Sequence, residues 1–420
     1  MEIIKELNKS KVNIVMIAGR GSGGGLFPYG GTASAMRMRY LALGLKENGI
    51  NVFVMNLVSG FKIKDNENKE WRGNYQGIDY EFMPRTTILN TSYIGRKWQD
   101  IMGFTRGLIR LIKMHIYGNI DCVYLYTINS VKVSVPVIVL CRIMKIPVVI
   151  ELCEWYPAFQ DYSFWKRKIF QKFTLRKAQA IIAISEFLVQ KIKESNYISK
   201  IDIPYLKIPI LADIDQWTID INYKKGEKGY FLWCGSIQGY KETVELLIQI
   251  FSKVWSIEND VKLIIVGDIS DNLISSFRIF QSKYNLPFYS IEFTGFLSEK
   301  ELANYYINAL ALLAPLRNNM RDLARFPTKI GEYLSSGRPI IIPSFCEFAN
   351  YASDGINAIY VHEDDINSYA SALKKVIDSP KYADLVGEGG RELCKKEFDY
   401  HIHGKSLALF INDIIIYNKK

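Results

Sequence analysis

Four cations, Arg317, Arg321, Arg325 and Lys329, crowd the stretch ALLAPLRNNMRDLARFPTKIGEYLSSGRPIIIPS, and Glu332 follows the last of them by three residues. The surrounding pattern reads as a strand, Ala311 to Ala314, then a basic loop, then a helix beginning near Pro327 that Gly337 stops before the strand Pro339 to Ile342. Cations beside a helix N-terminus favour an anion, because backbone amides and the helix dipole already point that way. This is a phosphate site in outline, with Glu332 placed to accept from vicinal hydroxyls of the same ligand. The same spacing also suits a solvated basic loop carrying a surface glutamate.

A second glycine-rich segment, GRGSGGGLFPYGGTASAM, follows the first strand, and Gly19, Gly21 and Gly24 satisfy G-x-G-x-x-G. A dinucleotide fingerprint needs its third glycine to open a helix and an acid at the end of the next strand. Here Pro28 interrupts, helical periodicity begins only after Gly30-Gly31-Thr32, and the next strand, Asn51 to Met55, runs into Asn56-Leu57-Val58. Nicotinamide and flavin readings are therefore disfavoured. Glu154, past the end of the strand containing Val149 to Leu152, stands where a base or acceptor-orienting carboxylate belongs, and equally where a capping or salt-bridged glutamate would sit. Asp213-Ile214-Asp215 resembles a metal-binding pair but reads as a turn in a linker. His115 falls in a helical stretch, Leu108 to Tyr117, and reads as structural. The six cysteines are far apart and include no C-x-x-C, which suits reduced thiols of a cytoplasmic protein.

The elements that must position these groups repeat one grammar. Short apolar strands alternate with longer amphipathic helices in both halves of the 420 residues, as in parallel α/β sheets. Two doubly wound domains are expected, 1–210 and 225–398, with the boundary where periodicity lapses and a C-terminal helix, 402–417, crossing back onto the first. Charge is uneven: residues 1–220 carry 30 Lys and Arg against 19 Asp and Glu, and the remainder 23 against 24. The first half therefore faces something anionic. Two basic aromatic runs within it, IGRKWQDIMGFTRGLIRLIKMHIYG and FWKRKIFQKFTLRK, suit an anionic membrane surface, or core-facing helices with solvated basic faces. Nucleic acid is disfavoured, since these runs alternate with apolar helix positions and carry no recognisable binding motif. The apolar region Val131 to Leu152 is broken by Lys132, Arg142, Lys145 and two prolines, so a buried helix followed by a strand fits better than a membrane span.

The second half resembles the family 4 glycosyltransferases of the GT-B fold, which carry E-x7-E followed by a small-Gly-Lys/Arg-Pro turn. Glu332 matches the second glutamate, Lys329 the lysine of members reading Pro-x-Lys-hydrophobic-x-Glu, and Ser336-Gly337-Arg338-Pro339 the turn. Phe231 to Lys241 looks like the strand-Gly-Arg-x4-Lys segment, and Val266-Gly267-Asp268, Phe293-Thr294-Gly295 and Asp354-Gly355-x-Asn357 match further strand ends and a late turn. The resemblance implies two Rossmann-like domains facing across a cleft, with Gly30, Gly31, Gly235, Lys241, Gly267, Gly295, Arg325, Lys329 and Glu332 binding a nucleotide diphosphate sugar. Glu154, Lys329 and Asp322 are then the catalytic candidates. Asp322 is named because Ala324 occupies the position of the family's first glutamate, and Arg325 or Arg317 because Ser236 occupies that of its phosphate arginine. The expected activity is retaining sugar transfer without metal or other cofactor to a glycan or lipid-linked acceptor, at the cytoplasmic membrane face. A nucleotide-sugar epimerase and an inactive membrane-associated subunit are the alternatives.

Overall fold

The computed structural model describes residues 12–18, 27–29, 33–60, 69–126, 130–158, 162–194, 203–215, 229–235, 237, 241–255 and 261–419. Its contacts divide the chain into two units, one comprising Met1–Leu211, Ala324–Phe326 and Tyr400–Lys420, the other Ala212–Leu323 and Pro327–Asp399.

In the first unit β1 (Asn13–Ala18) is followed by α1 (Ala33–Glu47), β2 (Asn51–Asn56), the hairpin β3 (Arg72–Tyr75) and β4 (Ile78–Phe82), and α2 (Tyr93–Ile116). Then come β5 (Cys122–Tyr126), α3 (Val131–Ile143), β6 (Val148–Leu152), α4 (Phe164–Ile169) with a π-helical turn at Phe170–Leu175, β7 (Ala180–Ala183), α5 (Glu186–Glu194) and β8 (Tyr205–Lys207). The sheet order is β3-β4-β2-β1-β5-β6-β7-β8, parallel except for the β3–β4 hairpin. β5, β6 and β7 are apolar at almost every position and buried on both faces, as covered parallel strands must be.

From β1 the chain winds outward through β2 to β4 and then returns to β5 on the other side of β1. Right-handed crossovers therefore place α1 on one face of the sheet and α2, α3 and α4 on the other. α2 packs on α3, and α3 on the π-helical turn after α4.

In the second unit β9 (Tyr230–Cys234), α6 (Lys241–Trp255), β10 (Lys262–Val266), α7 (Asp271–Lys283), β11 (Ile291–Gly295), α8 (Glu299–Ile307) and β12 (Ala311–Leu313) come first. They precede α9 (Met320–Ala324), α10 (Lys329–Ser335), β13 (Ile340–Pro343), β14 (Ile359–Val361), α11 (Ile366–Asp378) and α12 (Pro380–Glu397). The order is β11-β10-β9-β12-β13-β14, entirely parallel. The last helix, α13 (Tyr400–Lys419), returns to the first unit. It lies on α1, stacking Tyr400 on Tyr40 at 5.3 Å and burying Leu407, Ile411 and Ile415 in the same core.

Three features differ from the sequence reading. The β3–β4 hairpin turns through Gln76 and Gly77, both at positive φ, without the Asn-Gly pair that makes such turns obvious. Residues 93–116 form one continuous helix, as the amphipathic pattern suggests, but its buried residues are Gly103, Gly107 and Leu111 and not the isoleucines of the apolar stripe. α3 is not a buried helix: Ser134, Val137, Ile138 and Cys141 face inward while Val139 and Ile143 are exposed.

Candidate functional site

In open parallel sheets, ligands bind outside the carboxyl ends of strands where the winding direction reverses. In the second unit this point lies between β9 and β12, and two of the sequence candidates, Lys329 and Glu332, are tied down beside the end of β9. β9 ends in Cys234, whose backbone N–H donates to the Tyr333 hydroxyl at 2.8 Å. The Lys329 ammonium donates to Cys234 Sγ at 2.6 Å, and one turn along α10 the Glu332 carboxylate accepts from the Tyr306 hydroxyl at 3.2 Å. Tyr306 and Tyr333 meet edge to face at 5.0 Å, fixing both hydroxyls. Burial holds both phenols well above their ordinary pKa, so they serve as neutral hydrogen-bond groups. Burial alone would lower the Lys329 pKa, but Cys234 and Glu332 outweigh it and raise the group above the ordinary lysine value. Lys329 is thus a cation held in place beside an oriented carboxylate.

Three neighbouring strands end in glycine around this cluster. Gly235 N–H donates to Val266 O and Gly267 N–H to Gly295 O, each at 3.0 Å. Gly267 has φ +153°, and a Cβ there would lie 2.0 Å from Gly235 O, so no other residue fits without moving β9. The strand ends form a floor where a ligand can approach backbone.

The basic loop is organised by acids. Arg317 N–H donates to Asp322 Oδ2 at 2.9 Å, its guanidinium lies 3.0 Å from Glu242, and Asp322 N–H donates to Asn319 at 2.9 Å. Asp322 therefore shapes the loop from a buried position, and Ala324, two residues on, is buried as well. Arg325 is half-buried. Lys241 opens α6, exposed, 3.8 Å from Glu245.

Glu154 belongs to the first unit, half-buried beyond the end of β6. Gly30 and Gly31 lie outside the described residues, as do Gly19, Gly21, Gly24 and Ser236. What precedes Gly30 is anchored: Phe27 O accepts from Asn56 Nδ2 and Pro28 O from Arg39 Nη2, each at 2.9 Å.

The sequence reading missed a fully buried ion pair in this unit. Arg37, on α1, is 1% exposed and Glu151, on β6, is 0% exposed, and the two are 2.5 Å apart. Arg37 also donates to the carbonyls of Ile208, at 2.8 Å, and Pro209, while Tyr124 donates to Glu151 at 2.7 Å. A charged residue inside the apolar run VVIEL was its only sequence signal. A groove of about 850 Å³ opens beside Asn13 and Asn51, at the amino ends of β1 and β2, the wrong end of the sheet for such a ligand.

Comparison with known proteins now bears on this geometry. Residues 228–379 match the family described as glycosyl transferases group 1. This chain carries a group 1 glycosyltransferase domain. Lys329, Glu332 and the three strand-end glycines all fall within it. Solved structures show that the whole chain has the GT-B fold. A glycosyltransferase from Rickettsia africae superposes with TM-score 0.70 at 14% identity, covering 97% of this chain and 99% of that one. Sucrose-phosphate synthase from Thermosynechococcus elongatus gives 0.72 at 14% identity, covering 97% and 100%. HepE from Anabaena, in complex with UDP and glucose, gives 0.68 at 13% identity, covering 96% and 99%. No curated protein sequence matches the chain. Among the described residues, no group of three or more His, Cys, Asp or Glu is placed to hold a metal ion.

Proposed function

We propose that this glycosyltransferase moves a sugar from a nucleoside diphosphate sugar to a hydroxyl of a lipid-linked glycan acceptor, with retention at the anomeric carbon and without a metal. The observation that carries the reading is the Lys329–Glu332 pair held at the switch point by Cys234, Tyr306 and Tyr333. Breaking the bond between the anomeric carbon and the diphosphate oxygen leaves negative charge on the departing group and positive charge on the sugar ring. A cation fixed before the reaction stabilises the first of these at no cost of reorganisation, and that is the role of Lys329. Glu332 accepts from the ribose hydroxyls. Lys241 and Arg325 supply further positive charge to the diphosphate, and the strand-end glycines let it approach the backbone. Glu154 orients the acceptor hydroxyl or takes its proton. Support for the donor comes from the neighbour solved with UDP and glucose. The basic first half supports work at the cytoplasmic face of an anionic membrane, where the acceptor resides. Ala324 favours a second reading, a subunit that binds nucleotide without turnover.

A thermal-shift series with UDP, GDP, ADP and CMP tests the donor site. One diphosphate should raise the melting temperature of the native chain. Lys329→Ala and Glu332→Ala should each weaken that nucleotide by about 10- to 100-fold, as expected for hydrogen bonds to charged groups. Stabilisation that survives in both variants would remove the pair from the donor site. Slow donor hydrolysis without acceptor separates the enzyme from the inactive subunit.

A further inference from the structure

α2 has two apolar faces, and the protein covers one of them. Its inward side is narrow: Gly103, Gly107 and Leu111 are its buried residues, spaced one turn apart. A Cβ at Gly103 would lie 2.3 Å from Leu57 O, and one at Gly107 would lie 2.5 Å from the Leu57 side chain, so the helix packs almost backbone to neighbour. Opposite runs a second stripe, Ile94, Trp98, Ile101, Ile109, Ile112 and Ile116, at i+3 and i+4 steps broken once by Thr105. Such spacing ordinarily marks a core face. Here every member is exposed, Ile94 at 80% and Ile116 at 71%. The same side of the sheet carries further exposed apolar side chains, Val139 and Ile143 on α3 and Phe164 and Trp165 on α4, the last two 61% and 69% exposed. Cations accompany it throughout: Arg96, Lys97 and Lys113 on α2 and Lys166 to Lys168 on α4, against a single acid, Asp100, on α2. Lys168 lies over the Phe164 ring at 4.3 Å.

We infer that the outward face of α2, α3 and α4 is the surface that seats the protein on an anionic phospholipid bilayer, with the isoleucine and tryptophan stripe entering the interface and the cations meeting headgroups. Apolar and aromatic side chains flanked by Lys and Arg suit that boundary, whose hydrocarbon accepts the first and whose anionic surface attracts the second. A second copy of the chain is the poorer occupant, since it would bring the same excess of positive charge to the contact. Among the described residues no helix is long and apolar enough to cross a membrane, so the helices lie on the surface. The inference deepens the membrane-surface reading above by naming the residues that make the contact.

The test is flotation of the full chain with vesicles of phosphatidylcholine alone and of phosphatidylcholine mixed with phosphatidylglycerol. The native chain should float with the mixed vesicles only, and less so at high salt. Ile101→Asp combined with Ile112→Asp should cut the bound fraction by about tenfold or more, with an unchanged melting temperature because both positions are exposed. Ile279→Asp, an equally exposed apolar position on α7 of the other unit, should leave binding unchanged. Equal binding to neutral vesicles, full binding by the double variant, or a soluble dimer that the double variant dissociates would each overturn the inference. Nucleotide-induced stabilisation measured on the same samples keeps the two readings apart. A chain that responds to nucleotide but never floats loses the surface and keeps the donor site, and the reverse result keeps the surface alone.

Discussion

Lys329 and Glu332 are separated by one helical turn, so a local motif sufficed to place them together. Their partners come from elsewhere in the chain: Cys234 lies 95 positions from Lys329, and Tyr306 lies 26 from Glu332. The partners set the chemistry. Burial pulls the Lys329 pKa down, and Cys234 is the largest influence raising it again. A lysine whose pKa is raised on folding keeps its favourable interactions below the unfolded value and loses them as pH rises through the folded one. Nucleotide affinity of the native chain should therefore show no loss from this group up to about pH 9. Cys234→Ala removes the main compensating partner, so the Lys329 pKa falls and affinity should begin to decline at lower pH than in the native chain. Superimposable pH profiles for the two would contradict this account. Tyr306→Phe removes the phenol that orients the Glu332 carboxylate but leaves the carboxylate itself, and should weaken the nucleotide about 3- to 10-fold, in KM more than in kcat.

At the scale of elements, helical periodicity was legible but its direction was not. The isoleucines of α2 repeat as a core face does, yet the glycines pack inward, because only they allow the helix to come this close to Leu57. α1 shows the converse. Its register buries Arg37 and Arg39 with its leucines, and Arg37 ties α1 to β6 and to the carbonyls of Ile208 and Pro209 just after β8. Glu151→Gln leaves the Arg37 charge buried without its counterion, which should cost about 3–5 kcal/mol of stability. Urea denaturation of the variant checks this, and a loss below about 1 kcal/mol would mean that the carbonyls alone satisfy the guanidinium. The pairing was illegible because its members lie 114 positions apart: Glu151 stands out inside an apolar strand, but nothing local names Arg37 as its partner.

At the scale of the molecule, β1 and α13 belong to the same unit although the other unit lies between them in the sequence. α13 contributes Leu407, Ile411 and Ile415 to the core built on β1, α1 and β5. Each such side chain is worth about 1.5–3 kcal/mol when buried, so together they approach the whole stability of a typical domain. Truncation after Phe398 should therefore give an aggregated or unfolded first unit. A truncated chain that stays monomeric, with a cooperative transition like that of the full chain, would contradict this.

The alternation of strands and helices, the parallel α/β class, the uneven charge and the Lys329–Glu332 motif were all determined by the sequence alone, because each depends on residues close together in the chain. Tertiary structure alone decided the Cys234 and Tyr306 partnerships, the Arg37–Glu151 pair and which face of α2 meets solvent. These depend on strand order and helix approach, which bring distant residues into contact by packing that no local periodicity encodes.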